Sequence, residues 1–93
     1  MHSFDGPEPG ERVVPVAGQV PVGAGDTPRF ALFAAPGDAA AGLVQDYPDL
    51  LEPKVRPPFG AGKVWLVRPD GYTACVARDG NVRTIATYLR SLR

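Results

Sequence analysis

Few side chains in this sequence have the chemistry that catalysis or metal binding requires. The 93 residues include one cysteine, Cys75, and one histidine, His2. A single thiol excludes an internal disulfide bond and a zinc site built from several thiolates. His2 lies in a terminus that we expect to fray. The groups left for function are therefore carboxylates, hydroxyls and backbone amides.

Two glycine-containing segments match nucleotide-binding motifs only in part. A Walker loop ending at Gly62-Lys63 needs a glycine where Pro57 stands and a serine or threonine where Val64 stands. Gly23-Ala24-Gly25 lacks the third glycine of a dinucleotide fingerprint and precedes the first apolar strand instead of following it. We interpret both segments as ordinary loops.

The acidic residues also lack partners for catalysis. Asp46, Asp49 and Glu52 are close in sequence, and Asp70 and Asp79 flank the last predicted strand. Without a histidine or a second catalytic group beside them, carboxylates at such positions are typical of turns and helix caps. The sequence thus predicts no catalytic residue, no cofactor-binding residue and no metal ligand, and we expect no activity from this chain alone.

Charge is balanced over the whole chain but not along it. Residues 1–50 contain seven acidic and two basic side chains, whereas residues 51–93 contain three acidic and eight basic ones. Because the basic residues are scattered singly, we expect the two halves to fold against each other and to neutralise each other's charge. Such asymmetry also occurs in proteins that bind nucleic acids or acidic ligands. In that alternative the binding residues would be Lys54, Arg56, Lys63, Arg68 and Arg78.

Length and hydropathy indicate one domain outside the membrane. A chain of this size can build a single core, and it has no apolar run of about 18 residues to cross a bilayer. Its first residues lack the basic and apolar regions of a secretory signal. We therefore expect a cytoplasmic protein.

The first residues predict little regular structure. Proline and glycine are frequent in 1–12, which we interpret as an extended lead-in or linker, leaving 13–93 as the domain. Short β segments at 13–16 and 19–22 contain prolines, so they are limited to a sheet edge or a loose hairpin.

The first firm element is a nearly continuously apolar strand at 29–35, typical of a strand covered on both faces. Asp38 is placed to cap a helix over 39–46. Pro48 stops that helix, because the residue before a proline is disfavoured in helical conformation. A short strand could follow at 53–56.

The last third of the sequence predicts a β-hairpin followed by a helix. Strand-like segments at 63–68 and 72–78 are joined by Pro69-Asp70-Gly71, where proline presets the turn and glycine can adopt the left-handed conformation. Asp79 and Asn81 are alternative N-caps for a helix whose apolar residues share one face. These apolar residues are Val82, Ile85, Ala86, Leu89 and Leu92.

Together the elements predict an α/β fold of the thioredoxin-like class, ending in a hairpin plus helix. A β-α-β unit followed by a β-β-α unit gives a central mixed sheet, with the first helix on one face and the terminal helix on the other. Dithiol chemistry would need Cys-x-x-Cys at the start of the first helix, where the sequence reads Ala35-Pro36-Gly37-Asp38. Dithiol redox activity is therefore excluded.

Two blocks of the sequence resemble the C-terminal domain of FAD-dependent aromatic hydroxylases, the phenol hydroxylase and polyketide hydroxylase type of monooxygenase. Residues 65–74 resemble the family's "hydrophobic-V-R-P-D-G-Y/H-V-A" signature, and 7–13 resembles its "G-P-x-P-G-x-R-x-P" entry. The strand at 29–35 falls where the family has an R-F-x-L-L-F strand. The sequence departs from the family at Cys75-Val76, where Trp-Arg is usual, and at 13–16, which leaves the subfamily open.

The resemblance implies a non-catalytic thioredoxin-like domain that acts in assembly or dimerisation. In that family FAD binding and hydroxylation belong to a larger N-terminal portion. The implied partner is that catalytic portion or a second copy of this chain, with no nucleic acid and no membrane. Aromatic residues are enriched at interfaces, and the candidate interface residues are Trp65, Tyr72 and Tyr88, although core packing explains Trp65 as easily. Tyr88 is the better candidate, because Val82, Ile85 and Leu89 already define the inward face of its helix.

Two alternatives from other classes stay open. One is a stand-alone protein that binds an acidic ligand or a protein partner. The other is a redox-linked protein that uses Cys75, although a cysteine in the middle of a strand is more often a small buried apolar residue.

Overall fold

A computed structural model describes residues 6–13, 21–23, 28–78 and 81–92. Within these residues the chain forms three strands and two helices, which confirms the predicted α/β class. The elements are β1 (Ala31–Phe33), α1 (Asp38–Asp46), β2 (Lys63–Val67), β3 (Thr73–Arg78) and α2 (Val82–Ser91). Neither helix is long and apolar enough to cross a membrane.

The three strands form one antiparallel sheet in the order β1-β2-β3. Leu32 of β1 lies opposite Leu66 of β2, and Trp65 of β2 lies opposite Val76 of β3. The register shifts between Leu66 and Val67, so β3 has a bulge near its start. The predicted mixed sheet is thus antiparallel throughout its three described strands.

Among the described residues, parallel pairing is confined to residues 50–56, which run beside β1 without forming a regular strand. Isolated parallel bridges join Phe30 to Leu51 and Phe33 to Arg56, so the three steps from Phe30 to the end of β1 match five steps along this segment. The two additional residues include Pro53, which has no amide hydrogen to donate. The strand predicted at 53–56 is therefore replaced by a bulged edge.

Both helices pack on the same face of the sheet, which corrects the prediction that they cover opposite faces. Leu43 of α1 and Leu89 of α2 belong to one buried cluster with Leu32 and Leu66, a directly opposed pair in the β1–β2 ladder. The terminal helix does not cover the other face, because irregular chain already lies there.

That second face carries the largest aromatic side chains of the sheet. Phe33 and Trp65 are 2% and 0% exposed and cluster with Ala31 and Val67. The residues that pack over them from outside the sheet are Val13, Val22 and Phe59. The β segments predicted at 13–16 and 19–22, to which Val13 and Val22 belong, lie largely outside the described residues.

The helix ends differ from the predicted caps. Asp38 is the first residue of α1 and not its cap, because Gly37 takes that place without a side chain to bond the free amides. The carboxylate still lies in the first turn, where the helix dipole favours a negative charge. Asn81 precedes α2 without a side-chain capping bond, and Asp79 lies outside the described residues.

Candidate functional site

The β2–β3 turn is shaped by its own polar groups. Gly71 N donates to Arg68 O and Arg68 N donates to Tyr72 O, both at 2.8 Å. Gly71 has a φ of 92°, the left-handed conformation that the predicted three-residue loop requires. Asp70 accepts a hydrogen bond of 3.1 Å from Tyr72 N and forms an ion pair with Arg68. The turn is therefore held in one shape before any partner binds.

Residues 6–13 lie beside the start of β3. Gly10 N donates to Thr73 O, and Thr73 N donates to Glu11 O, both at 2.8 Å. An isolated antiparallel bridge joins Arg12 to Tyr72. Residues 6–12, which the sequence predicts as part of a lead-in or linker, are thus joined to the sheet by backbone hydrogen bonds.

Trp65 lies beneath this segment and belongs to the core. Its indole Nε1 donates to Pro7 O at 3.0 Å. Phe59 meets its ring edge-on, with centroids 5.2 Å apart and an interplanar angle of 85°. Of the two roles weighed for Trp65, core residue and interface residue, the structure shows the core role, because a side chain that is fully buried has no surface to offer a partner.

The two candidate tyrosines differ in how much of their surface is free. Tyr72 is 41% exposed, and Asp70 fixes its backbone. Tyr88 is half-buried on α2 and packs edge-on against Phe30, with ring centroids 6.3 Å apart. Tyr72, and not Tyr88 as the sequence favours, is therefore the described aromatic side chain with most surface left for a partner.

Cys75 lies in β3, opposite Leu66, on the face that the helices cover. It is half-buried, and this burial raises the pKa of its thiol above the ordinary value. Since the thiolate is the reactive form, burial makes Cys75 less nucleophilic at neutral pH. The environment suits a packed apolar residue better than a redox centre.

An open cavity of about 260 Å³ lies at the N-terminal end of α1. Its lining consists of Ala34, Ala35, Pro36, Gly37, Asp38, Ala39, Ala40, Val64 and Val82. Among the described lining residues Asp38 supplies the only ionisable side chain, and its negative charge disfavours anions. The cavity therefore has no nucleophile and little to orient a ligand.

Of the basic residues singled out from the sequence, Lys63 and Arg78 lie opposite each other in the β2–β3 ladder, whereas Arg56 and Arg68 lie away from this pair. Lys63 and Arg68 lie at and just beyond opposite ends of β2, about 17 Å apart along the chain direction. Arg56 makes two hydrogen bonds of 2.8 Å to Glu52, which neutralises it locally. In the described part of the chain, no group of three or more His, Cys, Asp or Glu residues could hold a metal ion.

Two residues of this region were missed as structural determinants by sequence reasoning. Phe59 stacks on Phe33 with centroids 4.5 Å apart and an interplanar angle of 23°. The only sequence signal for Phe59 is that it is an isolated aromatic residue in a proline-rich loop. Gly23 lies so close to the turn that a Cβ there would be 2.0 Å from Pro69 O, and its φ is +84°. Sequence reasoning weighed Gly23 only as part of a nucleotide motif.

Comparison of the chain with protein-family models, with curated proteins and with solved structures found no match. The geometry is therefore the basis on which a function can be argued. Its main feature is a rigid hairpin turn, clamped by the N-terminal segment, that exposes Tyr72.

Proposed function

We propose that this chain is a non-catalytic thioredoxin-like domain of the kind found in FAD-dependent aromatic hydroxylases, acting in assembly or dimerisation. The observation that carries this proposal is that the two resembling blocks, 7–13 and 65–74, form one structural unit. Trp65 Nε1 bonds Pro7 O across 58 residues of sequence, and Val13 N bonds Gly71 O at 2.8 Å. Blocks that are far apart in sequence therefore form the two sides of one contact.

The arrangement of the sheet also supports the proposal. The edge segment 50–56 follows α1 and runs parallel to β1, as the second strand of a β-α-β unit does. The hairpin and α2 then supply the β-β-α unit on the other side of β1. The layout fits a thioredoxin-like fold in which the second strand is reduced to a bulged edge.

A docking role follows from how the turn presents Tyr72. Ordering a side chain or loop on binding costs about 0.5–1.5 kcal/mol for each immobilised group. Asp70 already fixes the backbone of the turn, and Gly23 packs directly against Pro69. A partner that covers Tyr72 therefore gains aromatic contact area without having to order the loop beneath it.

The test is to mix the chain with the catalytic portion of a phenol hydroxylase type enzyme that lacks its own C-terminal domain. Light scattering after size exclusion would then show a hetero-complex or a homodimer. We expect Tyr72→Ala to weaken the association about tenfold. Leu92→Ala is the matched control, because Leu92 is similarly exposed, at 44%, just after α2, and we expect it to have no effect.

Two results would contradict the proposal. One is the absence of both self-association and hetero-association. The other is saturable quenching of FAD fluorescence by the isolated chain, since a domain of this kind leaves the flavin to the catalytic portion.

A further inference from the structure

An exposed arginine lies directly beside Tyr72. Arg12 and Tyr72 are joined by an isolated antiparallel bridge. The backbone hydrogen bonds that flank this bridge, both 2.8 Å long, are Val13 N to Gly71 O and Thr73 N to Glu11 O. Arg12 and Tyr72 are thus a non-hydrogen-bonded pair, in which the Cα atoms lie about 4.5 Å apart and the side chains are closest. Both residues are exposed, so a cation and an aromatic ring are presented together.

A second arginine lies on the other side of Tyr72. Arg68 N donates to Tyr72 O at 2.8 Å across the hairpin. The residues next to the two arginines, Val13 and Val67, pack in the aromatic cluster on the second face of the sheet. Because successive side chains of an extended chain point to opposite faces, Arg12 and Arg68 point away from that cluster. Tyr72 shares their face, because directly opposed residues of an antiparallel pair project to the same side.

These three residues, Arg12, Tyr72 and Arg68, which we call the Arg-Tyr-Arg row, leave positive charge open to a partner. Arg12 forms no ion pair with a described residue. Arg68 pairs with Asp70, but a guanidinium has several N–H donors, so this pair leaves others free. Glu11 alternates with Arg12 and so points to the opposite face, and its carboxylate accepts a backbone hydrogen bond within its own turn. The row therefore favours a negatively charged group over a positively charged one.

We propose that the partner of the Tyr72 turn is a protein segment that carries an aspartate or glutamate next to an apolar residue. This inference rests on the proposed function, because it names the chemistry of the partner that docks there. The carboxylate pairs with Arg12, whose planar guanidinium binds such groups in bidentate fashion, and the apolar residue covers the Tyr72 ring. Arg68 supplies a second cation for an acidic neighbour in the same segment.

A protein segment fits the Arg-Tyr-Arg row better than a nucleic acid does. Single-stranded nucleic acids bind along grooves in which aromatic side chains stack on successive bases and positive charge follows the phosphates. The row offers a single ring, and the carboxylate of Asp70 lies at one end of it, where it would repel a phosphate. One ring with a cation on either side instead matches one apolar residue and its acidic neighbours.

The test uses a short blocked peptide of glutamate and leucine as the probe, titrated at low salt into the isotope-labelled chain. NMR signals of the backbone amides and of the arginine side chains report where the peptide binds. We expect saturable shifts at Arg12, Tyr72 and Arg68, and we expect added salt to weaken them because it screens exposed charges. The same peptide with lysine in place of glutamate should leave these residues unshifted.

Arg12→Glu is the deciding variant, because it reverses the charge beside Tyr72 and leaves the aromatic ring in place. We expect it to weaken peptide binding, and association with a hydroxylase catalytic portion, at least about tenfold. Thermal unfolding checks that the variant is folded, and Arg12→Gln replaces it if it is not. The matched control is Arg83→Glu, which makes the same charge change at an exposed position near the start of α2 and should bind like the wild type.

The outcomes separate this inference from the assembly role. No binding of the acidic peptide, or equal binding of the lysine peptide, overturns the acidic partner. Tighter binding of oligothymidylate than of the peptide at the same residues overturns it too, because the row would then be a nucleic-acid surface. If Tyr72→Ala weakens association with the catalytic portion and Arg12→Glu does not, the assembly role stands and the acidic partner falls. If the acidic peptide binds at the row but the chain associates with neither itself nor a catalytic portion, the assembly role falls instead.

Discussion

Trp65 donates its indole hydrogen to the carbonyl oxygen of Pro7 at 3.0 Å, and this bond joins parts of the chain that are 58 residues apart. The preceding residue, Gly6, is so close that a Cβ there would lie 2.7 Å from the Trp65 ring. Because a buried indole N–H needs a partner, the core residue and the N-terminal segment depend on each other. This dependence makes the segment part of the folded unit.

Replacing Trp65 with phenylalanine should weaken this attachment. Trp65→Phe keeps an aromatic ring but leaves Pro7 O without its donor and opens space beside Phe59. We expect a loss of about 2–3 kcal/mol in the free energy of unfolding, from the lost hydrogen bond and the cavity together. Urea denaturation followed by circular dichroism measures it. Hydrogen exchange should also become faster at Gly10, and unchanged exchange there would contradict the attachment.

The hairpin was predictable because its determinants are local. Pro69, Asp70 and Gly71 are neighbours in sequence, and the turn they form depends only on their own backbone preferences and hydrogen bonds. The bond between Trp65 and Pro7 has no such signal, since residues 6–13 show neither helical nor strand periodicity. Its existence depends on a tertiary contact that no local pattern encodes.

The side on which α2 packs was not predictable for a related reason. Its apolar stripe, with Ile85 and Leu89 fully buried, correctly indicates an amphipathic helix over 82–91. The stripe is equally compatible with either face of a sheet. The choice is made by Phe59 and the N-terminal segment, which occupy the opposite face. Residue type likewise does not indicate that Trp65 is buried and Tyr72 exposed, because both are aromatic residues of the same hairpin.

Thr73 offers a way to stabilise the same contact. It is 2% exposed, and its Oγ1 has no hydrogen-bond partner among the residues that the structure describes, whereas its backbone bonds Gly10 and Glu11. Thr73→Val removes the unsatisfied hydroxyl, keeps the branched shape and favours a strand, so we expect a gain of about 1 kcal/mol. Thermal unfolding measures the gain. Thr87→Val, at an exposed position of α2, is the control and should show no gain; a Thr73→Val variant that is less stable than wild type would refute the argument.

Two glycine-to-alanine substitutions should change the stability of the protein in opposite directions. Gly71 has a φ of 92°, so Gly71→Ala places a side chain in the left-handed region and should cost about 1–2 kcal/mol. Gly42 lies inside α1, and a Cβ added there would meet nothing within 4 Å, so Gly42→Ala should add about 0.5–1 kcal/mol by favouring the helix. Urea midpoints of the two variants check both. Equal effects would show that the turn does not require its glycine.

Cys75 should make the protein less stable at high pH. Burial raises the pKa of the thiol in the folded state. The unfolded thiol has a pKa of about 8.5, so it loses its proton at a pH where the folded thiol still retains it. The contribution of the thiol to the free energy of unfolding is therefore complete below about pH 8.5, and it is lost as the pH rises through the pKa of the folded state. The free energy of unfolding should be measured for wild type and Cys75→Ala, in reductant, between about pH 7 and 10. As the pH rises, that of the wild type should fall relative to that of the variant. Labelling by a thiol reagent should also be slower than that of a free cysteine, and labelling at the free rate would mean that the side chain is not packed under the helices.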